Sequence, residues 1–278
     1  MKKKYMGTIV PAITPLNADR TLDVGAVERL FLLFRQHGAQ PFILGTTGEA
    51  ASLPGSLKQE YIRVAGRIKQ PGDILYAGIS SNCLQDSVEA ASYAFDSGVD
   101  VVVATLPSYY TLTEGQMLVY FEQLALQVKG PLIIYNIPAT THHSIPLPII
   151  DKLSHHPNVV GTKDSERSDE RLQNSLKLWS GRSDFSHFLG WAAKSGAALL
   201  AGGDGLVPST ANFAPAVYSD MEKAVEKGDT EMVGQLQFLS DELGNTYQSG
   251  RTLGESLAAL KLIMENEGLC QSYMMPPL

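Results

Sequence analysis

Cysteine is nearly absent from this chain of 278 residues, which has only Cys83 and Cys270. They stand far apart and form no CxxC or other metal-ligand spacing, which predicts reduced thiols and a cytoplasmic setting. Basic charge is scarce too. Lys and Arg number 22 against 29 Asp and Glu, a net charge of −7, which argues against the basic stripe of a nucleic-acid surface. The one basic cluster, Lys2 to Lys4, precedes a strand-like stretch rather than an apolar signal core, so a solvated N-terminal tail is expected. No apolar run reaches the roughly 18 residues of a membrane helix. The histidine pairs His142–His143 and His155–His156 point to different sides, and no HExxH spacing occurs. No metal is therefore expected.

What is present is a regular alternation of short apolar runs and longer amphipathic ones. Strand-like runs cover 7–14, 41–47, 74–80, 100–106, 131–138, 159–165, 185–190 and 205–210. Helical spacing covers 24–37, 56–69, 84–95, 114–128, 148–155, 170–179 and 192–196 between them. The strands are continuously apolar, as in a parallel sheet covered on both faces. Eight such units predict a closed (β/α)8 TIM barrel with a C-terminal helical extension. An open doubly wound sheet is the competitor. It would carry a glycine-rich fingerprint after the first strand, where Pro15-Leu16-Asn17 stands. The barrel is expected over 1–215. A closing helix and appended helices at 217–227, 231–243 and 255–267 fill 216–278.

The active site of such a barrel lies at the C-terminal strand ends. Three polar groups stand there: Thr46-Thr47-Gly48-Glu49, Tyr135-Asn136 and Lys163-Asp164-Ser165. Strand alternation puts Gly161, Lys163 and Ser165 on one face and Val160, Thr162 and Asp164 on the other. An inward Lys163 in an apolar barrel would have a depressed pKa and attack a ketone as the neutral amine. An outward Lys163 paired with Asp164 or Glu166 is about equally compatible with the spacing alone. Tyr135 alone reads more readily as a core tyrosine than as a proton shuttle. Thr46 and Thr47 beside Gly48 suggest a turn offering hydroxyls and amides to a carboxylate, although a plain turn has the same sequence. Tyr109-Tyr110 would cap the site or meet another subunit. The run at 202–205 is expected to turn the chain into the eighth strand.

Together, GTTGEA at 45–50, YNIPA at 135–139, GTKDS at 161–165 and GDGLVPSTANFAP at 203–215 make an ordered set. This set resembles the dihydrodipicolinate synthase and N-acetylneuraminate lyase superfamily over nearly the whole chain. The resemblance implies a class I, pyruvate-handling lyase, a homotetramer or dimer, that needs no cofactor. It implies Lys163 as the Schiff-base lysine and Tyr135 as the proton relay. Thr46 and Thr47 would hold the substrate carboxylate, and Tyr110 would be the tyrosine lent by a neighbouring subunit. The Val207 carbonyl would line the pocket, with Gly48 and Ser165 beside the substrate.

The departures bear on the substrate. Thr140 stands where the synthase usually has an arginine, and it cannot make a bidentate, charge-assisted grip. Ala192 and Ala193 stand where sialic acid lyases commonly have an acidic pair. The ending TANFAP resembles aldolases for 2-oxo-3-deoxy sugar acids. The resemblance therefore implies a sugar acid aldolase or related lyase. The alternatives are an enzyme of synthase or N-acetylneuraminate lyase type, or a non-catalytic regulator that binds a 2-oxo acid.

Overall fold

The computed structural model describes residues 3–278. Strands and helices alternate as β1 (Gly7–Pro11), α1 (Val24–Gln36), β2 (Gln40–Ile43), α2 (Gly55–Ile68), β3 (Tyr76–Gly78), α3 (Leu84–Asp96), β4 (Val101–Thr105) and α4 (Glu114–Gln127). The order continues with β5 (Leu132–Asn136), α5 (Pro138–Thr141), α6 (Leu147–Leu153), β6 (Val159–Asp164), α7 (Asp169–Trp179), β7 (Ser186–Leu189), α8 (Ser195–Leu200) and β8 (Gly205–Leu206). Every strand pairs in parallel with its neighbour, and β1 pairs with β8 to close the barrel.

The alternation of side chains along each strand builds two separate cores. On β4, Val101 and Val103 join the cluster inside the barrel, while Val102 and Ala104 join the cluster under the helices. On β5, Ile133 and Tyr135 point in while Leu132 and Ile134 point out. Burial of both faces is the reason these runs read as continuously apolar.

Several expectations are corrected. Val160 packs against the interior cluster rather than the helices. The β5–β6 register shifts between Leu132 and Ile133, a bulge that resets the alternation below Lys163. The eighth strand has two residues, because Pro208 lacks an N–H for the ladder and Ser209–Asn212 form a 3-10 turn. Tyr76–Gly78 and Ser186–Leu189 are likewise shorter than their apolar runs. The Pro138–Thr141 turn of helix was not anticipated. Lys3 is no solvated tail. Its Nζ lies 2.7 Å from Asp204 Oδ1 and donates to the carbonyls of Trp179 (3.2 Å) and Phe185 (2.9 Å). Lys2 lies outside the described residues.

Three helices follow the barrel: α9 (Pro215–Glu226), α10 (Thr230–Gln248) and α11 (Leu253–Asn266). Helix α9 lies against β1, where Thr8 Oγ1 donates to Glu222 at 2.6 Å. Helix α10 is fastened to the barrel's β7–β8 side. Gln237 bonds the Gly196 amide and the Ala192 carbonyl, and the Tyr247 hydroxyl meets Ser209 at 2.7 Å and Thr210 at 3.0 Å. Helix α11 starts in a Thr252–Glu255 capping box. Among the described residues, no helix is long and apolar enough to cross a membrane.

Candidate active site

Lys163 stands on β6 directly across from Tyr135 on β5 and Phe188 on β7. It points into the barrel and is 5% exposed. Its Nζ lies 3.9 Å from the Tyr135 ring centroid and 5.0 Å from that of Phe42. Ile9, Tyr76, Ile133 and Val207 complete a hollow of about 10 Å³ around it, room for about one water. Among the described residues, no carboxylate pairs with Lys163. Burial pushes its pKa below the ordinary lysine value, against the opposing effect of Tyr135.

The outward pairing that spacing allowed is occupied by another cation. Asp164, on the opposite face of β6, lies 2.6 Å from Arg171 Nε of α7. Asn136 Nδ2 bridges Asp164 (3.1 Å) and Glu166 (3.0 Å), and the Glu166 amide donates to Asp164 at 2.9 Å. Two polar environments therefore lie back to back across one strand. An ion-pair network on the helix side holds β6 to β5 and α7, and an uncompensated amine sits on the barrel side.

This arrangement favours reactivity over stability, and Lys163→Met should show it. Methionine keeps the length and packs as an apolar side chain. The expected gain is about 0.5–2 kcal/mol of unfolding free energy, as for other stabilising replacements of a strained functional group. The sign follows from the depressed pKa. Below pH 10.5 the unfolded lysine takes up a proton that the folded one refuses, so the parent loses stability as pH falls, down to the folded pKa. The gain for Met should therefore grow from pH 10.5 toward neutrality and then level off, as thermal melts at a series of pH values would read. A gain independent of pH would contradict a desolvated amine.

A cleft of about 790 Å³ opens above the lysine and shares Phe42 and Val103 with the hollow below. Tyr135 and Thr46 line it, as do Thr140 on α5 and Ser80, Ser81 and Asn82 beyond β3. The Tyr135 hydroxyl accepts from Ser165 Oγ at 3.3 Å, so Ser165 meets the tyrosine at the top of the barrel.

The Thr46–Thr47 turn follows β2. Leu44 and Glu49 bracket it with φ of 56° and 57°, a left-handed conformation uncommon for such residues. The amides of Gly48 and Ala50 donate back to Gly45 O, and that of Glu49 to Thr46 O. The amides and hydroxyls of Thr46 and Thr47 have no partner among the described residues. The turn thus keeps neighbouring donors in reserve, as an anion-binding nest does. A Cβ on Gly48 would come within 2.9 Å of the Ala12 carbonyl, so glycine lets the turn pack against the end of β1.

Not every sequence candidate joins this group. Tyr110 is 72% and Tyr109 77% exposed, their rings edge to face at 4.9 Å. Neither lines the hollow or the cleft. Within one chain, Tyr110 is therefore not brought to Lys163. The Tyr110 carbonyl lies 3.0 Å from Nε2 of the buried His143. Ala192 and Ala193 form a 3-10 turn with Lys194 that docks on α10.

Sequence reasoning missed Phe42, whose ring walls both cavities, and Glu49, which it quoted without a role. Glu49 is buried against Lys261 of α11 at 2.6 Å. Phe42 points into the barrel while its neighbour Ile43 on β2 packs under the helices, an alternation that was readable. The Glu49 partner was not, because nothing in the local pattern of α11 marks Lys261 as buried.

The comparisons with known proteins agree with this geometry. An uncharacterised DapA-like lyase of Pyrococcus abyssi is 30% identical over 274 residues, covering 98% of this chain and 91% of the relative. A solved dihydrodipicolinate synthase from Bacteroides thetaiotaomicron superposes with a TM-score of 0.94 at 31% identity, covering 100% of this chain and 94% of that one. YagE, an Escherichia coli K12 prophage protein of the dihydrodipicolinic acid synthase family solved with pyruvate, gives 0.93 at 25% identity, covering 99% and 93%. Residues 4–278 match the dihydrodipicolinate synthetase family, to which this chain belongs as a class I pyruvate-dependent carbon–carbon lyase.

Proposed function

We propose that the chain forms a Schiff base between Lys163 and pyruvate or a related 2-oxo acid, and that its substrate is a 2-oxo-3-deoxy sugar acid. The observation that carries the reading is Lys163 itself, a buried amine with no carboxylate partner among the described residues, set against Tyr135 in the hollow below the cleft. The neutral Nζ attacks C2, and the carbonyl π electrons pass to oxygen, which takes a proton from the Tyr135 hydroxyl. Ser165 keeps that hydroxyl in place. Loss of water leaves an iminium. The Tyr135 phenolate then takes the C4 hydroxyl proton, the C3–C4 bond breaks with its electron pair entering the iminium, and an aldehyde departs. The enamine is protonated at C3, and hydrolysis releases pyruvate and the free lysine. Thr46 and Thr47 hold the carboxylate throughout, and Val207 closes the far side of the hollow.

The cleft wall beyond β3 and at α5 supports a sugar acid, while the cation of the cleft, Lys58, stands on α2. Thr140, Ser80, Ser81 and Asn82 offer neutral hydroxyl and amide groups that suit a polyol. The exposed Tyr109–Tyr110 pair supports a homo-oligomer, dimer or tetramer, with these rings at the contact between copies. Both cysteines are free, which is compatible with work in the cytoplasm.

The test is a cleavage panel of 2-oxo-3-deoxy sugar acids read by pyruvate release, beside borohydride trapping with pyruvate read by intact mass. Release from at least one sugar acid is expected. A pyruvate adduct with no cleavage of any sugar acid would return the chain to a synthase-type condensation or a 2-oxo acid sensor. No adduct would remove the Schiff-base reading.

A further inference from the structure

The carboxylate turn is tied to a part of the chain that lies outside the barrel. Glu49, at the end of the turn, is 3% exposed and sits at φ 57°. Its Oε1 lies 2.6 Å from Nζ of Lys261 on α11, and both side chains are fully buried. Its Oε2 accepts the Met275 amide at 2.8 Å. Lys261 Nζ also donates to the Tyr273 carbonyl at 2.7 Å. One buried ion pair thus joins three pieces: the turn after β2, helix α11, and the segment that follows it.

We propose that Glu49 and Lys261 are positioning residues, through which the C-terminal extension holds Thr46 and Thr47 in their carboxylate-binding shape. This rests on the Schiff-base reading above. Glu49 is two residues from Thr47, and its left-handed backbone is a conformation that surrounding contacts must enforce. Both of its carboxylate oxygens are engaged by the extension rather than by the barrel. Among the described residues the amides of Thr46 and Thr47 have no partner, and the turn's own hydrogen bonds run only from the amides of Gly48, Glu49 and Ala50 to the carbonyls of Gly45 and Thr46, which points to a turn whose shape is also set from outside. The pair touches neither Lys163 nor Tyr135, so it acts on pyruvate binding and not on the attack itself.

The split between binding and rate is the test. The readouts are the pyruvate concentration giving half-maximal borohydride trapping and the maximal trapping rate. In the double variant Glu49→Gln/Lys261→Met no charge is stranded, so it should melt above either single variant. It should nonetheless need at least about tenfold more pyruvate for half-saturation, while its maximal rate stays within about threefold of the parent. Lys261→Arg keeps the charge and should trap at parent concentrations. A folded double variant with parent half-saturation overturns the proposal and leaves the Schiff-base reading intact. The same holds if half-saturation across the single and double variants simply follows melting temperature. No adduct in the parent overturns both.

Discussion

Lys163→Ala leaves no borohydride-stable pyruvate adduct at any pH, while the parent traps one per chain. The expectation follows from the site having a single amine in reach of a bound ketone. Among the described residues, Lys163 is the only lysine lining the hollow, and its neighbours there are apolar or aromatic. The lysine on the cleft wall, among the described residues, is Lys58 of α2. Alanine removes the nucleophile without straining β6, because its neighbour Asp164 and the Arg171 network on the other face are untouched. The far-ultraviolet spectrum and the melting profile should therefore stay native. The parent's trapping rate should rise with pH and reach half its maximum below 10.5, since burial favours the neutral amine. An adduct that persists in the alanine variant would place the Schiff base elsewhere and defeat the assignment. A midpoint at or above 10.5 would contradict the desolvated environment.

The barrel was legible because its physics is local. Continuous apolar strands, helical spacing between them and turn residues at their ends point to one answer. The inward direction of Lys163 was legible only as one of two alternatives, since alternation says that Lys163 and Asp164 diverge but not which faces the core. Arg171 settles this in three dimensions by taking Asp164. Where the sequence pattern misled, a specific contact explains it. The register shift at Leu132/Ile133 turned Val160 inward, below the residue whose alternation mattered. Lys3 looked solvated because its partner Asp204 lies 201 positions away. Glu49 and the Met275 amide are 226 positions apart, and no periodicity in either segment connects them. Contacts of this kind come from closure of the barrel and docking of the extension, so local pattern carries no trace of them. Tyr110 was placed at the site or at a subunit contact by its position after the fourth strand and by resemblance, and a single chain leaves its ring in solvent.

Tyr135→Phe separates the phenol's two contributions. The ring packs 3.9 Å from Lys163 Nζ and lines the barrel interior, and phenylalanine preserves it. The hydroxyl is the only part removed, and Ser165 Oγ loses its acceptor there. If the ring merely shields the amine, the variant should trap pyruvate at nearly the parent rate. If the hydroxyl moves the proton onto the departing oxygen, adduct formation should slow by about 10²- to 10⁴-fold, the usual worth of a positioned acid–base group. We expect the second outcome, with half-saturating pyruvate within about threefold of the parent, because the Thr46–Thr47 turn is unaltered and uniform binding is kept. Ser165→Ala should cost less, since the tyrosine hydroxyl survives and loses only a 3.3 Å contact that orients it. A Phe variant slowed less than about threefold would show that the proton comes from another donor, since a positioned tyrosine should be worth far more. Ser165, whose hydroxyl meets that of Tyr135, and Thr46 on the cleft wall are the hydroxyls next to be tested in that case.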